Sequence, residues 1–168
     1  TTTVCGIGTC ARLGWLVCED GDVVEDCTPG EPTTEICNGA DDDCDGSADN
    51  NIPVPFGPVD LALRTLTSKS TELTWAQPVP GPGALSDLLR GILGTLGAGY
   101  ATSTERCLAA YYEGTTWLDK DTPLPGDGYW FLVRARNCAG ISSYDSGDDA
   151  GLVGSRDPGI AASPNACP

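Results

Sequence analysis

The sequence contains no histidine and no methionine, and these absences exclude several kinds of active site. Ser-His-Asp and Cys-His nucleophile systems and HExxH metalloproteases all require histidine. No CxxC spacing occurs, so the thiolate zinc sites of small cytosolic modules have no basis here. The chain shows no signal peptide, and no apolar run reaches the roughly 18 residues of a membrane helix. We expect a processed or excised chain that is not an enzyme and has no membrane span.

Basic residues are scarce, and the acidic residues are concentrated near the N-terminus. Residues 1–56 contain twelve Asp/Glu and one Lys/Arg, a net charge of −11; residues 57–168 contain twelve and eight, a net charge of −4. The two values sum to the −15 of the whole chain. Because nucleic-acid binding needs Lys/Arg to neutralise phosphates, we expect no nucleic-acid partner. A concentrated acidic segment instead favours a hard cation such as calcium.

Cysteine, in contrast, is abundant, and six of the nine cysteines lie in the first 44 residues. This density without zinc-type spacing is typical of a disulfide framework formed outside the cytoplasm. We expect at least three disulfides within residues 1–50, because that segment has few apolar residues for a core. If its six cysteines pair among themselves, one of the other three is left over. That residue is a free thiol, a bridge between modules or an intermolecular bond.

A change of composition predicts two modules. Residues 1–51 form a Cys/Asp-rich calcium-binding module, residues 52–58 form a Pro-rich linker, and residues 59–168 form a β-sandwich with a C-terminal tail. Runs of strand formers such as Thr71–Trp75 and Tyr129–Asn137 are separated by Pro/Gly turns, which indicates a sandwich. Residues 85–96 have leucines at helical spacing, but glycines recur there. We therefore predict a strand to about Arg90, followed by one helical turn.

The most specific chemical signal is the acidic loop at residues 41–49. Counted from Asp41, aspartates fall at positions 1, 3, 5 and 9 and glycine at position 6, which is the ligand spacing of an EF-hand calcium loop. Position 12 is Ile52, so the usual glutamate is missing, and the side-chain oxygens of Asn38, Asn50 or Asn51 are available to complete the shell. The predicted ligands are Asp41, Asp43, Asp45, Ser47 through its carbonyl, Asp49, Asn38 and Asn50. No helical pattern flanks the loop, so it is not a helix–loop–helix EF-hand. The alternative is an acidic turn without metal, because short motifs of this kind also occur without a bound ion.

Two motifs carry a family resemblance: CGIGTCAR at residues 5–12 and EICNGADDDCDG at residues 35–46. Over residues 4–51 the chain resembles the MopE-type metal-binding module of secreted bacterial proteins. The family name implies copper, but copper sites prefer imidazole or thioether ligands, and this chain has no histidine or methionine. Calcium is therefore the expected ion. Family members often carry glutamate where this chain has Asn50.

A third motif, DGYWFLVRARNCAG at residues 127–140, resembles the late strand of fibronectin type III domains. The resemblance covers about residues 57–145. It implies an immunoglobulin-like sandwich in which Tyr129 is the tyrosine corner and Trp75 is a core aromatic. The predicted fold class is therefore mostly β: a small disulfide-rich calcium-loop module plus an immunoglobulin-like (fibronectin type III-like) β-sandwich.

Two groups in the second module allow alternative interpretations. Arg134 and Arg136 alternate on one strand face and form either a ligand-binding pair or, as is more common, solvent-facing charges with packed stems. Tyr111, Tyr112 and Trp117 can stack on sugars, but such residues in strands more often pack in a core.

The function favoured by these observations is a non-enzymatic extracellular structural or adhesive protein stabilised by calcium and disulfides. Its most specific form is a self-associating subunit of a bacterial surface fibre. The alternative is a glycan- or protein-binding accessory module of a larger secreted enzyme, whose partner is a glycan or a cell-surface protein.

Overall fold

A computed structural model describes residues 1–55, 60–66, 69–76, 84–98, 104–145 and 156–168 of the chain. The chain divides into two compact units, Thr1–Pro53 and Val54–Pro168. Residues 56–58 of the predicted linker lie outside the described residues. Antiparallel strands are the main regular structure of both units, which confirms the prediction of a mostly-β chain. In the described ranges, no helix has the length and apolar character needed to cross a membrane.

The first unit contains a three-stranded antiparallel sheet. Its strands are β1 (Thr2–Cys5), β2 (Arg12–Glu19) and β3 (Asp22–Asp26), in the order β1-β2-β3. A 3-10 helix at Gly8–Cys10 connects β1 to β2. Asp20 and Gly21 connect β2 to β3, and both have positive φ (52° and 94°), as a two-residue hairpin turn of this hand requires. Residues 27–53 follow an irregular path without strands or helices.

Disulfides hold this unit together. Cys5 is bonded to Cys27 and Cys10 to Cys44, and eight of the nine cysteines are disulfide-bonded. The free thiol is Cys18, which is exposed on β2. Five bonded cysteines remain in residues 1–50, which allows at most two disulfides within that segment, so the prediction of three is wrong. The physical reason is the strand register, which places Val23 rather than a cysteine opposite Cys18.

The second unit is a sandwich of two antiparallel sheets. One sheet has the order β4-β5-β8, with β4 at Leu61–Thr65, β5 at Thr71–Trp75 and β8 at Thr116–Asp119. The other has the order β10-β9-β6-β7, with β6 at Leu85–Ile92, β7 at Arg106–Tyr112, β9 at Tyr129–Asn137 and β10 at Gly140–Ile141. This division of seven strands matches a fibronectin type III-like sandwich and confirms the predicted fold class.

Residues 85–96, whose leucines and glycines gave conflicting signals, fold as predicted. Strand β6 ends at Ile92 and is followed by a 3-10 helix at Leu93–Ala98. Gly91 lies within the strand, where a Cβ atom would be 2.1 Å from the ring of Trp130 on the neighbouring strand β9. Gly91, one of the glycines that disfavour a helix here, is therefore required because any larger residue would clash with the Trp130 ring.

The four-stranded sheet is covered on both faces. On one face, Leu73 and Trp75 pack with Leu88 and Val133, so Trp75 is a core aromatic as predicted. The other face bears a second apolar cluster, to which the C-terminal tail contributes Ile160 of helix α1 (Asp157–Ala161) and Cys167, which is disulfide-bonded to Cys107. Burial on both faces explains why six consecutive residues of β6 are buried.

Candidate metal centre

The conformation of the acidic loop is fixed by a disulfide and by contacts with the backbone of neighbouring residues. Cys10–Cys44 ties the loop to the 3-10 helix, and the Thr9 amide donates to the Asp41 carbonyl at 2.9 Å. The loop approaches Gly8 so closely that a Cβ there would lie 2.3 Å from the Asp41 carbonyl oxygen. Gly46 has a φ of +99°, which glycine adopts without strain. The loop is therefore held by the fold, not by its own side chains alone.

Three carboxylates converge at the start of this loop. One oxygen each from Glu35, Asp41 and Asp43 lies within 4.8 Å of the other two. Glu35 and Asp41 are 8% and 9% exposed, and Asp43 is half-buried. Oxygens bound to one calcium ion at about 2.4 Å can lie up to about 5 Å apart, so the spacing fits a shared ion. Without a cation, each pair of such charges repels by roughly 3 kcal/mol at an effective dielectric constant near 20.

Glu35 has a buried carboxylate oxygen that makes no hydrogen bond to any described residue. Its Oε1 accepts hydrogen bonds from the backbone amides of Asp42 and Asp43, the latter at 2.8 Å. Its Oε2 is buried and has no hydrogen-bond partner within the described part of the chain. Buried carboxylate oxygens are almost always satisfied, so this atom indicates a site for a cation or a water molecule. An open cavity of about 450 Å³, lined in part by Glu35 and Asp43, gives solvent access to the cluster.

The structure brings two of the seven predicted ligands, Asp41 and Asp43, together with Glu35. The Asp41 carboxylate also accepts from the amides of Asp45 and Gly46, at 3.0 and 3.1 Å. These bonds orient the carboxylate and leave lone pairs for an ion.

The other five predicted ligands are not part of this cluster, and several of them bond to one another or to nearby backbone amides. Asp49 accepts hydrogen bonds from the backbone amides of Asn38 and Gly39, both at 3.0 Å. Asp45 accepts from the Ser47 amide at 2.9 Å and from Asn50 Nδ2 at 2.7 Å. Asn50 Oδ1 is buried and unpartnered among the described residues, so it is a further candidate oxygen.

Glu35 was missed because the ligand count began at Asp41. It stands six residues upstream, outside the span that EF-hand spacing covers. A signal was nevertheless present, since it opens the EICNG run and is the acid nearest before the loop.

The charged residues of the second unit form internal pairs. Asp87 is fully buried, and its carboxylate accepts hydrogen bonds from Arg134 Nε at 2.9 Å and from Arg136 Nη1 at 3.0 Å. Both arginines also donate to the Pro168 carbonyl. Their guanidinium groups stack on Tyr144 and Tyr111. The arginines are therefore neither solvent-facing nor available as a ligand pair.

A second buried pair joins Arg90 to Asp119, at 2.6 Å. Burial lowers the pKa of Arg90, but its hydrogen bonds to Asp119 and Asp121 outweigh burial, so this pKa is raised. Tyr112 and Trp117 pack against the core cluster of Trp75, in agreement with the core interpretation.

Comparison with known proteins adds little to this geometry. No protein-family model and no curated protein matches the chain. Among solved structures, the chain is similar to a Fn3-like protein from Clostridium thermocellum, with 19% identity over 54% of this chain and 85% of that chain and a TM-score of 0.33. The sandwich assignment rests on strand order, and the MopE-type resemblance of residues 4–51 stays a prediction.

Proposed function

We propose that this protein is a non-enzymatic extracellular structural or adhesive module whose N-terminal unit is stabilised by calcium. The observation that carries the calcium proposal is the buried, unpartnered Oε2 of Glu35 beside the carboxylates of Asp41 and Asp43. A calcium ion at this point offsets two of the three carboxylate charges and satisfies the buried oxygen. In this proposal, oxygens of the other predicted ligands complete the shell: Asp45, Ser47 and Asp49 within the loop, and Asn38 and Asn50 beside it.

The donor set favours calcium over other ions. All the candidate donors are oxygens, which suit hard cations, whereas copper and zinc prefer nitrogen and sulfur. Magnesium requires a tight octahedron and keeps most of its waters, while calcium accepts six to eight oxygens in an irregular arrangement. An irregular loop with carboxylates from residues 35, 41 and 43 matches the calcium preference.

An extracellular location is supported by the disulfides. Eight bonded cysteines in 168 residues are typical of an oxidising compartment. The paired arginines of the second unit favour a structural over a ligand-binding role for that sheet. Two more specific roles stay predictions, because both require a partner: a self-associating subunit of a surface fibre, and a glycan- or protein-binding accessory module of a larger secreted enzyme.

Calorimetric titration of the full chain with Ca²⁺ tests the proposal. We expect one binding event, and we expect Glu35→Gln to weaken it about tenfold or more, because the variant removes one ligand charge. The variant keeps an acceptor for the amides of Asp42 and Asp43. Glu31→Gln, a change at an exposed residue of the same segment, should leave the affinity unchanged. Equal affinity in both variants, or no binding at all, would show that the cluster is not a calcium site.

A further inference from the structure

The sheet of the first unit has an apolar face that is open to solvent. Side chains of successive strand residues point to opposite faces. The strand register therefore places a set of apolar residues on one side, and we call this set the open apolar face: Val4, Leu13, Trp15, Val17 and Val24. Val4, Leu13 and Trp15 are 60%, 76% and 58% exposed. Contiguous apolar patches of this kind on soluble proteins mark interaction sites.

The opposite face of the same sheet carries internal contacts, although Leu16 and Val23 on that side are also exposed, at 42% and 68%. The Cys5–Cys27 disulfide crosses it over Gly14, where a Cβ atom would be 2.4 Å from Cys27 Cβ. Thr3 Oγ1 also donates to Glu25 on that side. The disulfide therefore holds the sheet together from one face, and the apolar side chains of the other face are not required to do so.

The border of the open apolar face carries one sign of charge. Glu19, Asp22 and Asp26 fall on the same side by register. The single basic residue of residues 1–56, Arg12, falls on the opposite side, and its guanidinium donates to the carbonyls of Thr9 and Ala11. A partner that covers this face must therefore bring cations to the three carboxylates as well as apolar side chains to Leu13 and Trp15.

We propose that the open apolar face binds a segment of another protein that alternates apolar residues with lysine or arginine. This inference rests on the adhesive role proposed above, because it names the kind of partner for that role. A second copy of this chain fits poorly, since it carries a net charge of −15 and its Arg90, Arg134 and Arg136 are held in internal ion pairs. An anionic membrane is disfavoured by the same acidic border.

Synthetic peptides test the proposal on the full, calcium-loaded chain. The probe is an alternating Lys/Val peptide, and its controls are a Glu/Val peptide and a Lys/Ser peptide of equal length. Binding is followed by acrylamide quenching of Trp15 in a Trp117→Phe background, since Trp75 and Trp130 are buried and Trp117 is half-buried. We expect the Lys/Val peptide to bind at least tenfold more tightly than either control, and Leu13→Ser to weaken it roughly tenfold. Leu124→Ser, at a residue that is 77% exposed but outside this face, should have no effect.

Several other results would overturn the proposal that the open apolar face binds such a segment. Equal binding of all three peptides, or an equal loss in Leu13→Ser and Leu124→Ser, overturns the proposal. Sedimentation showing a dimer that Leu13→Ser dissociates assigns the face to a second copy, and binding to phosphatidylglycerol vesicles assigns it to a membrane; either result also overturns it. Calcium titration of Leu13→Ser separates this result from the calcium proposal, because the variant should bind calcium normally.

Discussion

Two tyrosines of the second unit differ in what their hydroxyl groups contribute. The Tyr144 hydroxyl is buried in the cluster with Trp130 and Ile160, without a hydrogen-bond partner in the described residues. The Tyr112 hydroxyl donates to the Thr116 carbonyl at 2.8 Å. A buried polar atom without a partner costs free energy, whereas a formed hydrogen bond contributes to stability.

Tyr144→Phe and Tyr112→Phe should therefore have opposite effects on stability. We expect Tyr144→Phe to raise the free energy of unfolding by about 1 kcal/mol, because it removes an unsatisfied hydroxyl. Tyr112→Phe should lower it by about 1 kcal/mol through loss of one hydrogen bond. Urea denaturation at neutral pH measures both. A loss of stability in both variants would mean that the Tyr144 hydroxyl has a partner, such as an ordered water molecule.

The pH dependence of these variants follows from the same burial. Burial raises the pKa of Tyr144 above its ordinary value, so the folded state keeps the phenol proton at a pH where the unfolded state loses it. Below pH of about 10 the phenol is neutral in both states and its titration does not affect the free energy of unfolding; as pH rises further, that free energy falls by up to about 1.4 kcal/mol per pH unit. Tyr144→Phe should show a shallower alkaline loss than the wild type.

Glu35 shows where residue-scale prediction failed. The spacing of Asp41 and Asp43 was sufficient to place them in one cluster, because alternate residues of a tight loop converge. Glu35 reaches the cluster through the irregular chain between Cys27 and Cys37, and no periodic pattern encodes such a path. Sequence spacing can identify ligands within one loop but not a ligand supplied from outside it.

At the scale of elements, Asp87 connects three strands of the larger sheet. It lies on β6, binds Arg134 and Arg136 on β9, and accepts from the Tyr111 amide on β7 at 3.2 Å. The pairing of β6 with β7 is irregular here, and Tyr111 has a φ of +55°. This bulge turns the Tyr111 amide towards the carboxylate.

Asp87→Asn should be among the most damaging single changes in this unit. It leaves Arg134 and Arg136, whose side chains are 11% and 12% exposed, without a carboxylate, and breaking a buried pair in this way costs about 3 kcal/mol or more. Arg64→Gln is the matched control, since the Arg64–Glu72 pair is exposed and 3.9 Å apart. We expect that control to change stability by less than about 0.5 kcal/mol. Equal effects in urea denaturation would show that the buried pair contributes no more than the exposed one.

Element types were predictable where the local pattern is strong. Thr71–Trp75 and Tyr129–Asn137 are strands, and the strand ending near Arg90 continues only to Ile92. The cover that α1 places over the second face was not predicted, because the apolar residues of the tail are few and widely spaced. Disulfide connectivity also could not be predicted, since it depends on which strands pair and not on the spacing of cysteines.

For the whole molecule, the two units derive stability from different sources. Among the described residues of the first unit, Cys10 is the buried hydrophobic side chain, and the other buried side chains there include Glu35, Asp41 and Asp42. The second unit has two apolar clusters, centred on Leu88 and on Leu89. We infer that disulfides and a cation hold the first unit, whereas apolar burial holds the second.

Calcium should therefore protect one unit and leave the other unchanged. Hydrogen exchange of the full chain in the presence of calcium or of EGTA measures this protection. Calcium at 100 times its Kd would stabilise the bound form by about 2.7 kcal/mol, which slows amide exchange about 100-fold. We expect that slowing at the amides of Asp42 and Asp43, which donate to Glu35, and at Thr9, which donates to Asp41. Amides of β6 and β9 should exchange equally in both conditions, and at the same calcium concentration Glu35→Gln should reduce the difference at Asp42 from about 100-fold to about tenfold or less. Protection that rises equally in both units would contradict separate sources of stability, and no change in the first unit would contradict calcium binding there.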